Sequence, residues 1–262
     1  MLDMSYAGCM KLDVPYLLGI NQVSDRVGSR DIFPFNLKFL ASLDLKFNHP
    51  VTFFVGENGS GKSTLLEAIA SLCRLPVSGG GRNELSAGNP PETESALAKV
   101  LRPSFRKQPR DGFFLRAEFA AHFASLLDDR KSDSSFGGDP YMMYGGRSLH
   151  MRSHGEAFLA ILQNRIREGV YLLDEPEAAL SPQRQLALLL LIHDLVAKGG
   201  AQFVIATHSP ILMTYPGAEI VNFDDAELNL IALKDTVHFQ ITRGILDNPS
   251  KYWKLLLEDD PI

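Results

Sequence analysis

The amino-acid sequence predicts an α/β fold with a mostly parallel core sheet. Three short apolar runs predict it, at 51–55, 170–173 and 202–206, because β-branched and aromatic residues in runs of this length are typical of buried strands. Helix-forming segments follow these runs, and strands that alternate with helices favour parallel pairing. The first run is followed by a glycine-rich turn that contains Lys62, the second by an acidic pair and the third by a threonine and a histidine. Such residues at the ends of parallel strands predict a site at the carboxyl edge of the sheet.

The first of these runs leads into a glycine-rich turn and then into a helix that begins near Gly61. Within residues 56–64, positions 56–63 spell G-x-x-x-x-G-K-[ST], the pattern of a phosphate-binding loop. Glycines let successive N–H groups face one concavity, and the start of the helix adds its positive end. Lys62 then supplies a charge for the β- and γ-phosphates, and the Ser63 hydroxyl is placed to bind Mg²⁺.

The alternative interpretation is a glycine turn with a chance lysine, which the flanking strand and helix disfavour. The sequence therefore predicts a site for a nucleoside triphosphate. Its predicted contacts are Gly56, Asn58, Gly59, Ser60, Gly61, Lys62, Ser63 and Thr64.

Bulk composition is that of an ordinary globular chain. The 262 residues are 45% hydrophobic and 22% charged, which predicts one large domain spanning 1–262 with a sizeable core. A formal charge of −5 argues against a wholly basic nucleic-acid binder. Two cysteines favour the reducing cytoplasm, and the most apolar stretch, 186–192, is too short for a membrane span.

Upstream of the phosphate loop, three apolar segments predict an antiparallel β portion, at 16–20, 35–40 and 43–47. Downstream, a helical sub-lobe is predicted over 78–166, with loops at 78–91 and 128–146. Within it, 102–110 carries four basic residues and one aromatic. Two interpretations stay open for that segment: a solvated loop, which the acidic whole favours, or a contact to a phosphate backbone.

The second half of the chain holds further chemical groups. Ser153 and Glu156 are spaced as a capping box, so Ser153 and Gly155 stand at a positive helix end that suits an anion. The strand at 170–173 ends in Asp174 and Glu175. Asp174 is placed to share Mg²⁺ with Ser63, and Glu175 to orient the attacking water. A simple helix cap is the competing interpretation of this acidic pair.

Later residues extend the pattern. Ser181 and Pro182 predict a helix start, and the following run 186–191 is apolar on all sides and therefore predicted to be buried. The strand at 202–206 ends before His208, which is positioned to reach a γ-phosphate. The tail predicts a hairpin at 224–225 and a final helix from 248–249 whose apolar residues, Trp253 among them, pack against the body.

Taken as a set, these stretches resemble the ATP-binding-cassette ATPases. Residues 56–64 resemble the Walker A motif, 153–156 the signature, 172–176 Walker B, 179–181 the D-loop and His208 the switch histidine. The chain resembles stand-alone soluble ATPases akin to the heads of chromosome-maintenance and DNA-repair proteins more than it resembles transporter subunits. The resemblance covers 51–225.

The resemblance implies ATP and Mg²⁺ as ligands and a homodimer that forms on ATP binding. Ser153, Gly155 and Glu156 of one chain would face the nucleotide of the other, and Lys62, Glu175 and His208 would be catalytic. A task in nucleic-acid maintenance or defence is favoured, with a nucleic acid or a protein as partner. The alternatives are an ATP-binding subunit of a membrane transporter and a nucleotide-gated switch with little turnover.

The chain departs from the family pattern in three places. Its signature reads Ser-His-Gly-Glu instead of Ser-Gly-Gly-Gln. No glutamine follows the strand at 112–115 where the Q-loop is expected, so Arg116 or Glu118 is the candidate substitute. The adenine-stacking aromatic is unassigned among Tyr16, Phe33, Phe35 and Phe47.

Overall fold

A computed structural model describes residues 14–81, 94–116, 119–133, 137–165 and 168–257. Its strands, in chain order, are β1 Leu17–Gln22, β2 Asp44–Lys46, β3 Val51–Val55, β4 Gly80–Gly81, β5 Leu101–Phe105, β6 Gly112–Arg116, β7 Gly169–Asp174, β8 Ala201–Ala206, β9 Glu219–Asn222 and β10 Asn229–Leu230. Its α-helices are α1 Lys62–Leu72, α2 Phe119–Ser132, α3 His154–Arg165, α4 Pro182–Ala197, α5 Val237–Asp247 and α6 Pro249–Leu257.

The larger sheet has the strand order β10-β9-β3-β8-β7-β6-β4. The five central strands pair in parallel, and the two-residue strands β4 and β10 close the edges in antiparallel fashion. The predicted α/β class with a mostly parallel core sheet is therefore confirmed. Because parallel strands end at one edge, the polar residues after β3, β7 and β8 lie side by side.

Helices cover both faces of this sheet, and the alternation of side chains along each strand separates two cores. On β3, Phe53 faces one core with residues of α2, α3 and α4, whereas Phe54 faces the other with residues of α1. The second core also takes up the apolar side of a separate antiparallel sheet of order β2-β1-β5. Strands buried on both faces are typical of parallel sheets, and all five residues of β3 are buried.

The predicted antiparallel β portion is confirmed for β1 and β2, but the predicted strand at 35–40 is wrong. Residues Lys38–Ser42 form a 3-10 helix, in which the neighbouring residues Phe39 and Leu40 are both buried. The third strand of this sheet is β5, which pairs with β1. The first half of the basic segment 102–110 is therefore an edge strand and not the solvated loop that the sequence favoured.

The segment 78–166, predicted as a helical sub-lobe, contributes β4, β5 and β6 to the two sheets and supplies α2 and α3. Its separation from the rest of the chain stays a prediction. Glu118 and residues 82–91 of the predicted loop lie outside the described residues.

Two predictions of burial are wrong. On α4, Leu186 and Leu190 are 54% and 67% exposed, because Leu188 and Ile192 occupy the face turned to the sheet. At the end of the chain, the helix predicted from 248–249 is confirmed as α6, but it does not pack as predicted. Trp253 is 60% exposed, and neither α5 nor α6 contributes a buried residue.

The predicted hairpin at 224–225 is present as the antiparallel pair β9 and β10.

Candidate active site

The phosphate loop joins β3 to α1, and two of its glycines, Gly56 and Gly61, sit where a side chain would not fit. Gly61 is the N-cap of α1 with φ +99°, and a Cβ atom there would lie 2.8 Å from Leu37 Cδ2 and 2.8 Å from Phe39 Cε1. A Cβ atom on Gly56 would lie 2.8 Å from Asp224 Oδ1. This carboxylate accepts a 2.6 Å hydrogen bond from the backbone N–H of Glu57. The loop is therefore in close contact with Leu37 and Phe39 at its end and with Asp224 at its start.

Lys62 lies across this loop with its side chain buried. Its ammonium group donates hydrogen bonds to the carbonyl oxygens of Gly56 at 2.6 Å and Glu57 at 2.9 Å. Burial lowers the pKa of this ammonium group, although nearby carboxylates, Glu175 first, oppose the shift. A phosphate entering the loop can take over these hydrogen bonds. The hydroxyl of Ser60 is also buried, and it has no hydrogen-bond partner among the described residues.

Ser63 and Asp174 meet directly although they come from α1 and β7. The Ser63 hydroxyl donates a 2.9 Å hydrogen bond to Asp174 Oδ1. Burial raises the pKa of the Asp174 carboxyl, while the bond from Ser63 and the nearby guanidinium of Arg116 oppose that shift. Arg116 Nε lies 3.5 Å from Asp174 Oδ2, and its Nη1 donates to Glu67 at 2.9 Å.

This pair fits Mg²⁺, which takes oxygen ligands and keeps several of its ligands from water and phosphates. Among the described residues no group of three His, Cys, Asp or Glu side chains could hold a metal. A hydroxyl and one carboxylate are the donor set expected where a bound triphosphate supplies the other ligands.

Glu175 follows Asp174 in a left-handed backbone conformation, with φ +49° and ψ 53°. Residues without glycine's freedom rarely adopt this region, and such strain is often found at functional sites. The backbone N–H of Glu175 donates to Ala206 O at 3.0 Å, which ties it to the end of β8. Its carboxylate Oε1 lies 3.5 Å from His208 Nε2, and its side chain is 44% exposed.

Glu177 is a site residue to which the sequence assigned no role. Its carboxylate accepts hydrogen bonds from the hydroxyl of Thr207 at 2.8 Å and from the backbone N–H of His208 at 2.5 Å. It therefore fixes the turn that carries His208. Burial raises the pKa of the Glu177 carboxyl, whereas the bonds from His208 and Thr207 work in the opposite direction. The acidic run at 174–177 is the one sequence signal that could have indicated it.

Two cavities open beside the phosphate loop. One, of about 290 Å³, is lined by Phe33, Asn58, Gly59, Gly61, Lys62, Ser63, Thr64 and Glu175. The other, of about 550 Å³, shares Phe33, Asn58 and Gly59 with it and is also lined by Phe223 and Asp224. Phe33 is 63% exposed, whereas Tyr16 and Phe47 are buried in the core. Of the four aromatic candidates for base stacking, Phe33 is the one that lines these cavities.

The predicted capping box forms at the start of α3. The backbone N–H of Ser153 donates to the Glu156 carboxylate at 3.0 Å, and the backbone N–H of Glu156 donates to Ser153 Oγ at 3.4 Å. Arg184, from α4, donates to Ser153 Oγ at 2.7 Å and to Glu156 Oε1 at 2.9 Å. A Cβ atom on Gly155 would lie 2.8 Å from Ala179 O. None of these residues lines either cavity at the phosphate loop.

The structure thus brings the predicted site residues together in two separate groups. Lys62, Ser63, Asp174, Glu175 and His208 form the first, at the carboxyl ends of β3, β7 and β8. Ser153, Gly155 and Glu156 form the second, with Arg184. None of the helices in the described part of the chain has the length and apolar character that crossing a membrane requires.

Comparison with known proteins identifies the family. Residues 34–100 match the family model described as "AAA domain", and residues 151–214 match the one described as "AAA domain, putative AbiEii toxin, Type IV TA system". The first stretch contains Lys62 and Ser63. The second contains the remaining residues of the first group and all of the second group.

Two curated relatives extend the match. The cytochrome c biogenesis ATP-binding export protein CcmA of Rhodopseudomonas palustris is 30% identical over 177 residues, which is 61% of this chain and 78% of the relative. The DNA replication and repair protein RecF of Glaesserella parasuis is 56% identical over 37 residues, 14% of this chain and 10% of the relative.

Among solved structures, an inward-facing metal-chelate type ABC transporter superposes with a TM-score of 0.51 at 17% identity. The superposition covers 87% of this chain and 88% of that one, and it shows the shared fold. The chain belongs to the ATP-binding-cassette ATPases, as its motifs predicted. It binds ATP with Mg²⁺ and hydrolyses it.

Proposed function

We propose that ATP binding joins two copies of this chain into a dimer that sandwiches two nucleotides. The observation that carries the proposal is the split between the two groups of site residues. The first group grips a triphosphate and its metal, whereas the second is a helix N-terminus beside the ion pair of Arg184 and Glu156, and it lines neither phosphate-loop cavity. One bound triphosphate does not need a second anion site on the same chain. The second group has a use if it contacts the nucleotide that the partner chain holds.

Within each composite site, the residues have distinct tasks. Lys62 and the loop amides stabilise the charge of the β- and γ-phosphates. Bound Mg²⁺, held by Ser63 and Asp174, would neutralise the developing phosphate charge. Glu175 orients the attacking water, and His208 lies 3.5 Å from its carboxylate, within reach of the same phosphate. Phe33 offers its exposed ring to the adenine base.

A substitution at the catalytic glutamate tests this arrangement. Glu175→Gln keeps the size of the side chain but removes the carboxylate, so ATP binding should persist while turnover falls by about 100-fold or more. The ATP-bound dimer should then live longer, measured by light scattering after size-exclusion chromatography. Glu227→Gln, at an exposed glutamate of the β9–β10 turn, is the matched control.

Two outcomes would overturn the proposal. Hydrolysis by the Glu175→Gln protein at the parental rate would remove the assigned role of the glutamate. A protein that binds ATP tightly in this variant and stays monomeric at all concentrations would remove the sandwich dimer while leaving the ATPase assignment intact.

The task that we propose for this dimer is nucleic-acid maintenance or defence. The basic segment supports it, because Arg102, Arg106, Lys107 and Arg110 are all exposed on and after the edge strand β5. Such groups can contact a phosphate backbone. The RecF match and the toxin-system description of the second family model point the same way.

Reversal of charge in this segment tests the nucleic-acid partner. Arg106→Glu with Lys107→Glu should weaken DNA binding by the ATP-bound Glu175→Gln protein and reduce its dependence on salt. Lys198→Glu with Lys251→Glu, on two exposed lysines outside the segment, changes the net charge by the same amount and is the control. No DNA or RNA binding by the parent protein, or equal binding by all variants, would refute this partner.

A second function is favoured by the CcmA relative, which is an ATP-binding export protein and matches over most of its length. In that case this chain is the ATP-binding subunit of a membrane transporter. Copurification of the Glu175→Gln protein with an integral membrane protein after cross-linking would establish it. Recovery of nucleic acid instead would favour the first task.

A further inference from the structure

His208 has a second imidazole as its neighbour. His208 Nδ1 and His238 Nε2 lie 2.8 Å apart, a hydrogen-bond distance between two side chains that are 30 residues apart in the sequence. On its other side, His208 Nε2 is buried, makes no hydrogen bond among the described residues and lies 3.5 Å from Glu175 Oε1. One nitrogen of His208 is thus engaged by His238, and the other faces the reactive end of the site.

A hydrogen bond between two imidazole nitrogens requires one N–H and one lone pair, so it restricts the tautomers of both rings. A nitrogen that is to bind a phosphate oxygen or the Glu175 carboxylate must carry a proton. In neutral His208 that proton resides on Nε2 only if Nδ1 accepts the bond, and His238 Nε2–H then donates it. The tautomer of His208 is therefore set by the residue on its far side.

The backbone holds His238 in place for this role. It is the second residue of α5, two positions after the buried N-cap Thr236. The Thr236 hydroxyl donates to Leu233 O at 2.8 Å and accepts from the backbone N–H of Phe239 at 3.3 Å. No residue of α5 or α6 is buried, whereas the N-cap Thr236 is, so the start of α5 is the anchored end of this helical pair.

We propose that His238 is a positioning residue for His208, holding the imidazole in the tautomer and orientation that present Nε2–H to Glu175 and the γ-phosphate. The proposal rests on the role of His208 in the proposed function. Besides His208, the charged groups that face His238 are Glu57 and Lys62 of the phosphate loop and Asp224, which follows β9. His238 itself touches neither proposed metal ligand, so its effect on hydrolysis passes through His208.

Spectroscopy of the nucleotide-free protein tests the hydrogen bond without reference to turnover. In protein labelled with ¹⁵N-histidine, the ring nitrogens of His208 should show one dominant tautomer with the proton on Nε2. His238→Leu should convert this pattern to a mixture of tautomers, whereas Thr242→Ala, on an exposed residue of the same helix, should leave it unchanged. An identical His208 spectrum in the His238→Leu protein would overturn the proposal, whatever the ATPase activity is.

Steady-state kinetics then test the consequence. His238→Leu should lower kcat by about 10- to 100-fold with little change in KM, because misplaced catalytic groups impair the chemical step. His238→Gln, whose amide can replace the Nε2–H donor, should recover most of the rate. In a His208→Ala background, His238→Leu should cost nothing further. Additive losses in the double variant, or full activity of His238→Leu, would refute the positioning role.

Discussion

The Glu177 carboxylate accepts a 2.5 Å hydrogen bond from the backbone N–H of His208, which joins the loop after β7 to the turn after β8. The same carboxylate accepts from the Thr207 hydroxyl. Two loops that come from different strands therefore share one partly buried acid. The position of His208 depends on the protonation and hydrogen bonding of that acid as well as on its own strand.

Glu177 should give the nucleotide-free protein a recognisable pH dependence. Burial raises the pKa of its carboxyl above the ordinary 4.5, so between these two values the folded chain holds a proton that the unfolded chain has lost. The stabilising contribution is complete below pH 4.5 and is lost as the pH rises through the raised pKa. Each unit of elevation corresponds to about 1.4 kcal/mol.

Urea unfolding of Glu177→Gln and of the parent, at a series of pH values that starts below the ordinary pKa of 4.5 and rises from there, measures this effect. The amide cannot ionise, so the stability of the variant relative to the parent should rise as the pH increases through this window. Glu227→Gln, at an exposed residue, should follow the parent at every pH. Parallel pH profiles for all three proteins would contradict the prediction.

The contact between Ser63 and Asp174 predicts a selective effect on metal binding. Ser63→Ala and Asp174→Asn each remove one proposed Mg²⁺ ligand while the phosphate loop keeps Lys62. We expect about 10- to 100-fold weaker binding of Mg²⁺-ATP, with metal-free ATP bound nearly as before. Isothermal titration with and without Mg²⁺ separates the two affinities. Asp44→Asn, on the exposed side of β2, should change neither; equal losses with and without metal would argue against a metal role.

The phosphate loop offers a matched pair of glycine substitutions. Both Gly59 and Gly61 have positive φ angles, +82° and +99°, but a Cβ atom on Gly59 meets nothing within 4 Å, whereas one on Gly61 meets Leu37 and Phe39. Gly59→Ala should cost about 1–2 kcal/mol of stability from the backbone alone. Gly61→Ala should cost about 1–3 kcal/mol more, because the added methyl group overpacks the site.

Denaturant unfolding without nucleotide measures both values, since bound ATP would add its own stabilisation. The difference between the two variants isolates the steric term. Equal losses of unfolding free energy in the two variants would mean that Leu37 and Phe39 move aside without cost. The close contact at Gly61 would then not affect stability.

The sequence predicted those parts of the site that lie within a few residues of one another. The loop at 56–64, the capping box of Ser153 with Glu156 and the acidic residues after β7 all depend on local spacing, which a single chain displays directly. The strands β3, β7 and β8 were predictable for the same reason, because buried strands are short continuous apolar runs.

The partners of these residues were not predictable, because their contacts join distant segments. Arg184 meets Ser153 across 31 positions, and His238 meets His208 across 30. Neither position carries a motif. The exposed face of α4 was missed for another reason: a run such as 186–191 is apolar on all sides, so its composition does not tell which side chains turn to the core. The basic composition of 102–110 likewise concealed the edge strand β5.

Arg184 predicts a separation of ATP binding from dimer formation. Its guanidinium bridges Ser153 and Glu156 at the start of α3, and none of the three lines a phosphate-loop cavity. Arg184→Gln should therefore leave the affinity of the monomer for ATP within about twofold, since no contact to the loop is lost. The substitution does remove one positive charge from the group formed by Ser153, Gly155 and Glu156. In the Glu175→Gln background we expect about 10-fold weaker ATP-dependent dimerisation, equivalent to about 1.4 kcal/mol, by analytical ultracentrifugation.

Gln183→Ala, on the exposed neighbour of Arg184, should dimerise normally. Weaker nucleotide binding by the Arg184→Gln monomer would instead connect the second group to the nucleotide of its own chain, and the dimeric arrangement of the site would have to be abandoned.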